Sequence, residues 1–162
     1  MLFDDEKFRK PTRPVRTSVR MMKKLARFVA KLPDTHFDFR ITRRSCGISD
    51  DNECGTIGCL MGWSPNVFPD LLSYRGADFH LPPHSKHCVA WYEAGAMLLG
   101  IPVSDSYNIF TPNKRSPVDG SILGDSATAK QAAARLLQYA NWYEHTQRQK
   151  RIKQRQRAQH IY

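Results

Sequence analysis

Three segments of the chain repeat apolar residues at intervals of three and four, the pattern of an amphipathic helix. They cover residues 18–32, 87–99 and 128–143. Residues 37–41 instead alternate apolar and polar side chains, which predicts a short extended segment. A chain of 162 residues is long enough to bury one core without a metal or disulfide. We therefore predict a mainly α-helical fold in a single compact domain, with at most a minor extended or hairpin element.

The sequence also predicts where these helices begin and end. Ser18 is a suitable N-cap for the first helix, and Gly100 is expected to end the second. Thr128 and Gln131 fit a capping box for the third, whose predicted buried side includes Leu137. Residues 43–52 are mostly polar and are predicted to form a loop.

The formal net charge of +10 is concentrated at the two ends of the chain. Residues 1–31 contain ten lysines and arginines against three acids, and residues 143–162 contain six against one. The intervening residues contain nine against eleven and are close to neutral. This distribution predicts a basic N-terminal arm over residues 1–16, a helical domain over residues 17–145 and a basic C-terminal tail over residues 146–162.

One central stretch, residues 52–63, concentrates cysteine, glycine and apolar residues. Thr56 is a suitable N-cap for a short helix from Ile57 to Trp63, and two glycines in it would allow another element to approach closely. We predict that this short helix packs between the three longer ones. The residues assigned to this structural motif are Cys54, Gly55, Thr56, Cys59, Gly62 and Trp63.

Two cysteines of the motif, Cys54 and Cys59, admit a structural and a metal-binding interpretation. Small buried thiols beside glycines are typical of tight packing, and cysteine is among the most buried residue types. A zinc site would need four ligands, with a second pair drawn from His84, His87 and Cys88. The spacing of the two cysteines is wider than that of usual zinc pairs, so the structural interpretation is favoured and no metal is predicted.

A third interpretation makes Cys54 a nucleophile, because a thiol before a helix N-terminus has a lowered pKa. It would need a histidine nearby, and His36, His80 and His87 are the candidates. The sequence has no phosphate-binding glycine-rich loop, no His-Glu-x-x-His and no Gly-x-Ser-x-Gly. Binding is therefore favoured over catalysis, with no catalytic residue and no cofactor predicted.

Four segments together resemble a known group of proteins. Residues 25–39, 54–63, 94–100 with 108–112, and 128–137, in that order, are similar to small phage and bacterial proteins with a Cys-Gly-Thr-x-x-Cys-x-x-Gly-Trp core motif. The resemblance covers residues 20–140 and implies a phage or mobile-element origin. It supplies no catalytic residues. An inhibitor of host defence is one role that the resemblance admits.

The basic ends supply the candidate binding residues. At helical spacing, those of the tail are expected to cover every side of the chain. Such charges are often simply solvated, but lysine and arginine also contact phosphates, and the interspersed glutamines suit base edges. Trp142, next to the tail, is the best candidate for stacking on a base. The predicted binding residues are Lys23, Lys24, Arg27, Arg148, Lys150, Arg151, Lys153, Arg155 and Arg157.

The predicted partner is nucleic acid or an acidic surface of a host protein, such as a defence complex. No membrane is expected, because no run approaches the roughly 18 apolar residues of a membrane span. Four cysteines are too few for a disulfide scaffold, and the first ten residues are too charged for a signal peptide. These features predict reduced thiols and the host cytoplasm as the location.

Overall fold

The computed structural model describes residues 13–40, 43–44, 57–75 and 78–159. Most of the secondary structure in these ranges is helical, which confirms the helical prediction in its coarse form. The helices are α1 (Val15–Val29), α2 (Ser64–Val67), α3 (Trp91–Leu99), α4 (Val103–Phe110) and α5 (Ala129–Gln159). The strands are β1 (Arg43–Arg44), β2 (Ile57–Gly58), β3 (Ser73–Arg75), β4 (Asp78–His80) and β5 (Cys88–Val89).

The strands form two small antiparallel sheets, so the described fold is not purely helical. β1 pairs with β2, and β3, β4 and β5 form a three-stranded sheet in that order. In the second sheet, Phe79 of β4 is buried against the core. The prediction allowed only a minor extended element, and the three-stranded sheet exceeds it.

The main packing contact of the fold joins α1 to α5. Met22, Leu25 and Val29 on α1 are fully buried, as are Ala132 and Leu136 on α5. The intervals are three and four on α1 and four on α5, so each helix turns one apolar side inwards. The alanines of α5 are small, which allows the two backbones to lie close together. The predicted apolar sides of both helices are therefore confirmed in outline.

Two positions of α5 differ from the predicted buried side. Leu137 was expected inside but is 39% exposed, whereas Tyr139 is fully buried. The hydroxyl of Tyr139 donates a hydrogen bond to a carboxylate oxygen of Asp105 on α4, at 2.7 Å. A tyrosine can be buried at low cost when its hydroxyl has such a partner. The side of α5 next to α4 is therefore partly polar, which a purely apolar pattern does not reveal.

Both ends of α1 differ from the prediction. The helix begins at Val15, and Ser18 is a buried residue inside it rather than its N-cap. Pro14 precedes the first turn, and its carbonyl accepts hydrogen bonds from the backbone amides of Thr17 and Ser18. Proline has φ already fixed near the helical value and lacks the N–H that a first turn leaves unpaired, so it suits this position. The helix then ends at Val29, before the residue 32 predicted.

The helix predicted over residues 87–99 is shorter at its N-terminus. It starts at Trp91, because Cys88 and Val89 pair with β4 instead. The carboxylate of Glu93 accepts the backbone N–H of Ala90 and closes the first turn. The predicted stop is confirmed, since Gly100 ends the helix in the left-handed conformation with φ of 66°.

The capping box predicted for α5 is present. The backbone N–H of Gln131 donates to the hydroxyl of Thr128 at 3.2 Å. In return, the backbone N–H of Thr128 donates to the side-chain carbonyl of Gln131 at 2.9 Å. The two bonds satisfy N–H groups that the first turn would otherwise leave unpaired.

The prediction of a central short helix over Ile57–Trp63 was wrong. Ile57 and Gly58 form β2, residues 60–63 form a turn, and the helix follows at α2. The carbonyl of Gly58 accepts the backbone N–H of Asp38 at 3.3 Å, so this segment bonds to the chain after α1 rather than to itself. The glycines lower the intrinsic preference of this segment for a helix, so these backbone contacts determine its conformation. Cys54, Gly55 and Thr56 lie outside the described residues.

The segment is nevertheless buried. Cys59, Leu60, Met61 and Trp63 all belong to the core. The indole N–H of Trp63 donates to the backbone carbonyl of His36 at 3.1 Å, and its ring lies 6.0 Å from that of Phe28 on α1. Burial of a large ring with its N–H satisfied is characteristic of a packing position. Gly62 is buried in the same turn.

The extended segment predicted over residues 37–41 is confirmed only at its start. Phe37 forms an isolated bridge with Gly58, and a turn follows at residues 39–40. Phe37 and Phe39 are both buried, as the alternation predicted. The loop predicted from Arg43 onwards contains β1, and its remaining residues lie outside the described part of the chain.

Candidate nucleic-acid interface

The long helix α5 continues beyond the core. Its last buried residue is Tyr143, Thr146 and Gln147 are half-buried, and every residue from 148 to 159 is exposed. Twelve helical residues extend about 18 Å at 1.5 Å per residue. We call residues 148–159 the C-terminal extension. All six cations predicted in the tail lie on it, and the twelve residues include no acid.

The helical backbone of the C-terminal extension separates these cations into two groups. At 3.6 residues per turn, the two groups lie about 160° apart around the helix axis. The first stripe consists of Arg148, Arg151 and Arg155. The second stripe consists of Lys150, Lys153 and Arg157. The expectation that the charges cover every side is therefore corrected: they form two opposed stripes with uncharged side chains between them.

A second basic surface lies where α1 meets α5. A groove of about 550 Å³ runs beside α1, and we call it the α1 groove. Four of the residues that line it are the cations Arg16, Arg20, Lys23 and Arg27. Their spacing of four, three and four places them along one edge of α1. Glu144 of α5 also lines the groove, and its carboxylate lies 3.6 Å from the ammonium of Lys23.

The structure separates Lys24 from the other predicted cations of α1. Its ammonium donates to the backbone carbonyl of Val67 at 3.3 Å and lies 5.3 Å from the ring centre of Phe68. Lys24 therefore interacts with the segment around α2 and does not line the α1 groove. Arg16 and Arg20 do line it, although neither was predicted as a binding residue. Their spacing from Lys23 and Arg27 was the signal that could have identified them.

The predicted stacking residue, Trp142, already packs in part against the rest of the protein. Its side chain is half-buried, and its ring centre lies 5.5 Å from that of Tyr139. Trp142 lies on α5 six residues before the C-terminal extension begins. The structure therefore places Trp142 at the base of the extension, packed against the protein on one side.

The cysteine described within the central motif does not have the environment of a reactive thiol. Cys59 is 3% exposed, and burial raises the pKa of its thiol. A raised pKa disfavours the thiolate, which is both the nucleophile and the metal ligand. Cys88, on β5, is exposed, whereas Cys59 is buried. Across the described residues, no three His, Cys, Asp or Glu side chains come together to hold a metal ion.

The histidines proposed as partners are likewise dispersed. His80 uses Nδ1 to donate to the backbone carbonyl of Ser85 at 2.7 Å, which ties the loop after β4 to the strand. His36 lies close to Thr35, with 3.1 Å between its Nδ1 and the threonine hydroxyl. Neither of these contacts involves a thiol. In the described part of the chain, the candidate binding residues other than Lys24 therefore lie on the two basic surfaces.

No protein-family model, curated protein or solved structure matches this chain. Within the described ranges, no helix combines the length and the apolar character needed to cross a membrane. The functional interpretation of the two surfaces therefore depends on the charges and the geometry of this chain itself.

Proposed function

We propose that this protein is a phage-type accessory protein that acts in the host cytoplasm by binding nucleic acid. The binding surface is the C-terminal extension together with the α1 groove. One observation carries the proposal: twelve consecutive exposed residues hold six cations and no acid, on a helix that continues directly from the core.

The charge density of the C-terminal extension favours a polyanion as its partner. Six charges over about 18 Å correspond to roughly one per 3 Å, against one phosphate per about 1.7 Å of duplex axis. Only a ligand with closely spaced negative charges can neutralise such a row along its length. Contact with phosphates would release condensed counterions, which drives association at low salt.

The α1 groove extends the same surface onto the body of the protein. Arg16, Arg20 and Arg27 are exposed along one edge of a helix that is firmly packed on its other side. Cations held on a rigid helix lose little freedom when they contact phosphate. The groove therefore supplies further backbone contacts, while the C-terminal extension supplies most of the charge.

The test is fluorescence anisotropy with a labelled 20-base-pair DNA duplex, across a series from about 50 to 300 mM salt, a range in which phosphate contacts weaken strongly. The full chain is compared with a chain that ends at Gln147. If all six cations contact phosphates, truncation lowers the slope of log K against log salt by about 5. The matched control keeps the length and replaces the six cations with glutamine. An affinity that changes neither with salt nor with the truncation or the glutamine replacements would refute the proposal.

An acidic surface on a host protein, such as a defence complex, is the other partner that the charges admit. Co-purification from host cells, with and without nuclease, separates the two partners. Loss of the bound material after nuclease treatment supports nucleic acid. A stoichiometric protein complex that survives nuclease would assign the surface to a protein partner instead. The cysteine proposed as a nucleophile, Cys54, lies outside the described residues, and the burial of Cys59 gives no support to a role of that second thiol as a metal ligand.

A further inference from the structure

The two opposed stripes of the C-terminal extension have a consequence for the form of its ligand. A helix that rests on the outside of a single phosphate backbone needs cations on one side only. Here three cations lie on each of two sides, about 160° apart at 3.6 residues per turn. Such a helix is suited to a ligand that presents phosphates on both of its flanks.

The major groove of B-form DNA has this geometry. It is about 12 Å wide between the two backbones, and an α-helix with its side chains is about 10–12 Å in diameter. A helix lying in it has one phosphate backbone on each flank. The minor groove is only about 6 Å wide and would exclude the helix. The major groove of an RNA duplex is deep and narrow, so it excludes the helix as well.

One of the two sides of the helix that separate the stripes also carries residues suited to the floor of a groove. Gln149, Ile152 and Gln156 follow one another at intervals of three and four, midway between the two sets of cations. Ile152 is 40% exposed, although it is a large apolar residue. Glutamine amides can bond to adenine edges, and apolar side chains contact the methyl group of thymine. This side would therefore face the base edges when the stripes face the backbones.

We infer that the C-terminal extension is a major-groove reading helix for double-stranded DNA, with the first stripe on one backbone and the second stripe on the other. This inference depends on the proposed nucleic-acid function and specifies the form of the ligand. The core holds the base of the helix, so the helix is already formed when it meets the DNA.

The first test compares two variants of equal charge in the full-length protein. One replaces the first stripe (Arg148→Gln, Arg151→Gln, Arg155→Gln), and the other replaces the second stripe (Lys150→Gln, Lys153→Gln, Arg157→Gln). If each stripe contacts its own backbone, each variant lowers the salt slope by a similar amount, up to about 2.7. Arginine, lysine and glutamine have similar helix propensities, so both variants should keep the helix, which circular dichroism verifies. A loss confined to one stripe would overturn the inference.

The second test asks which groove is occupied. Methyl green, which binds the major groove, is expected to displace the protein from the 20-base-pair duplex, whereas the minor-groove ligand distamycin is not. Duplex RNA and single-stranded DNA of the same sequence should compete about ten-fold less well than duplex DNA, or worse, because neither offers a major groove that admits the helix. Displacement by distamycin alone, or equal competition by RNA, would overturn the inference and leave the proposed function intact. Absence of binding to every nucleic acid would overturn both.

Discussion

Glu144, a carboxylate that lines the α1 groove, gives a prediction in which the proposed DNA binding becomes tighter. Glu144 lies 3.6 Å from Lys23, with side-chain exposures of 54% and 29%. It is the one acid among the described residues that line the groove, and under the proposed function it pairs with a cation that would otherwise contact phosphate. Replacing it by glutamine (Glu144→Gln) removes a negative charge at the proposed binding surface and releases Lys23.

The size of the effect follows from two contributions. A phosphate about 7 Å from a carboxylate in water is repelled by about 0.6 kcal/mol. An exposed ion pair of this kind contributes at most about 1 kcal/mol, so releasing Lys23 adds a few tenths of a kcal/mol. We expect the free energy of binding to become more favourable by about 1 kcal/mol, a roughly five-fold gain in affinity. The salt slope should steepen by about 0.9, because one more cation contacts phosphate.

The assay is anisotropy with the labelled DNA duplex in a series of salt concentrations, for the parent chain and Glu144→Gln. Asp78→Asn is the matched control, because it makes the same charge change at an exposed position on β4 that does not line the groove. The stability of Glu144→Gln, followed by tryptophan fluorescence in urea, should change by less than about 0.5 kcal/mol, as for other exposed ion pairs. Unchanged affinity in the folded variant, or an equal gain in Asp78→Asn, would refute a direct role of the groove.

Three further predictions concern the helices that hold these surfaces. Burial raises the pKa of Asp105, so its ionisation costs stability as pH rises through that pKa. Tyr139→Phe removes the hydroxyl that donates to the ionised carboxylate, so it should lower the free energy of unfolding in urea by about 1–3 kcal/mol, and by more at pH 7.5 than at pH 4. Gly95→Ala would place a methyl group 2.5 Å from the Ser106 hydroxyl oxygen, so a loss of about 1–3 kcal/mol is expected despite the better helix former. Gln147→Pro keeps every cation but breaks α5 before the C-terminal extension; circular dichroism should show lost helix, and duplex affinity should fall, whereas Gln147→Ala should change neither.

Periodicity predicted the larger helices because their buried side chains repeat along a single stripe. It located the core side of α1 and α5 and the stop at Gly100, since these depend on residues close in sequence. It failed where pairing with a backbone segment distant in sequence determines the secondary structure. Ile57 and Gly58 are held as a strand by Arg43 and Arg44, and nothing within residues 57–63 encodes that partner.

The sequence identified most of the cations of the candidate site but not how they are arranged in space. The cations of the tail were identified from charge alone, and the helical backbone then divided them into two stripes. On α1, charge alone could not separate Lys24 from Lys23, because the two are adjacent in sequence. Only the position of the carbonyl of Val67 shows that Lys24 faces another part of the fold.

The helical state of the C-terminal extension depends on the core that precedes it. A separate twelve-residue helix is marginal in water, because forming its first turn is unfavourable and like charges one turn apart repel. In this chain residues 129–143 already form and pack the helix against α1, so each added residue only propagates it. The helical backbone therefore sets the positions of the cations along the helix before any ligand is bound, and the proposed contact with phosphates would carry a small ordering cost. The apolar side that ends at Tyr143 thus determines where packing stops and where the helix extends into solvent.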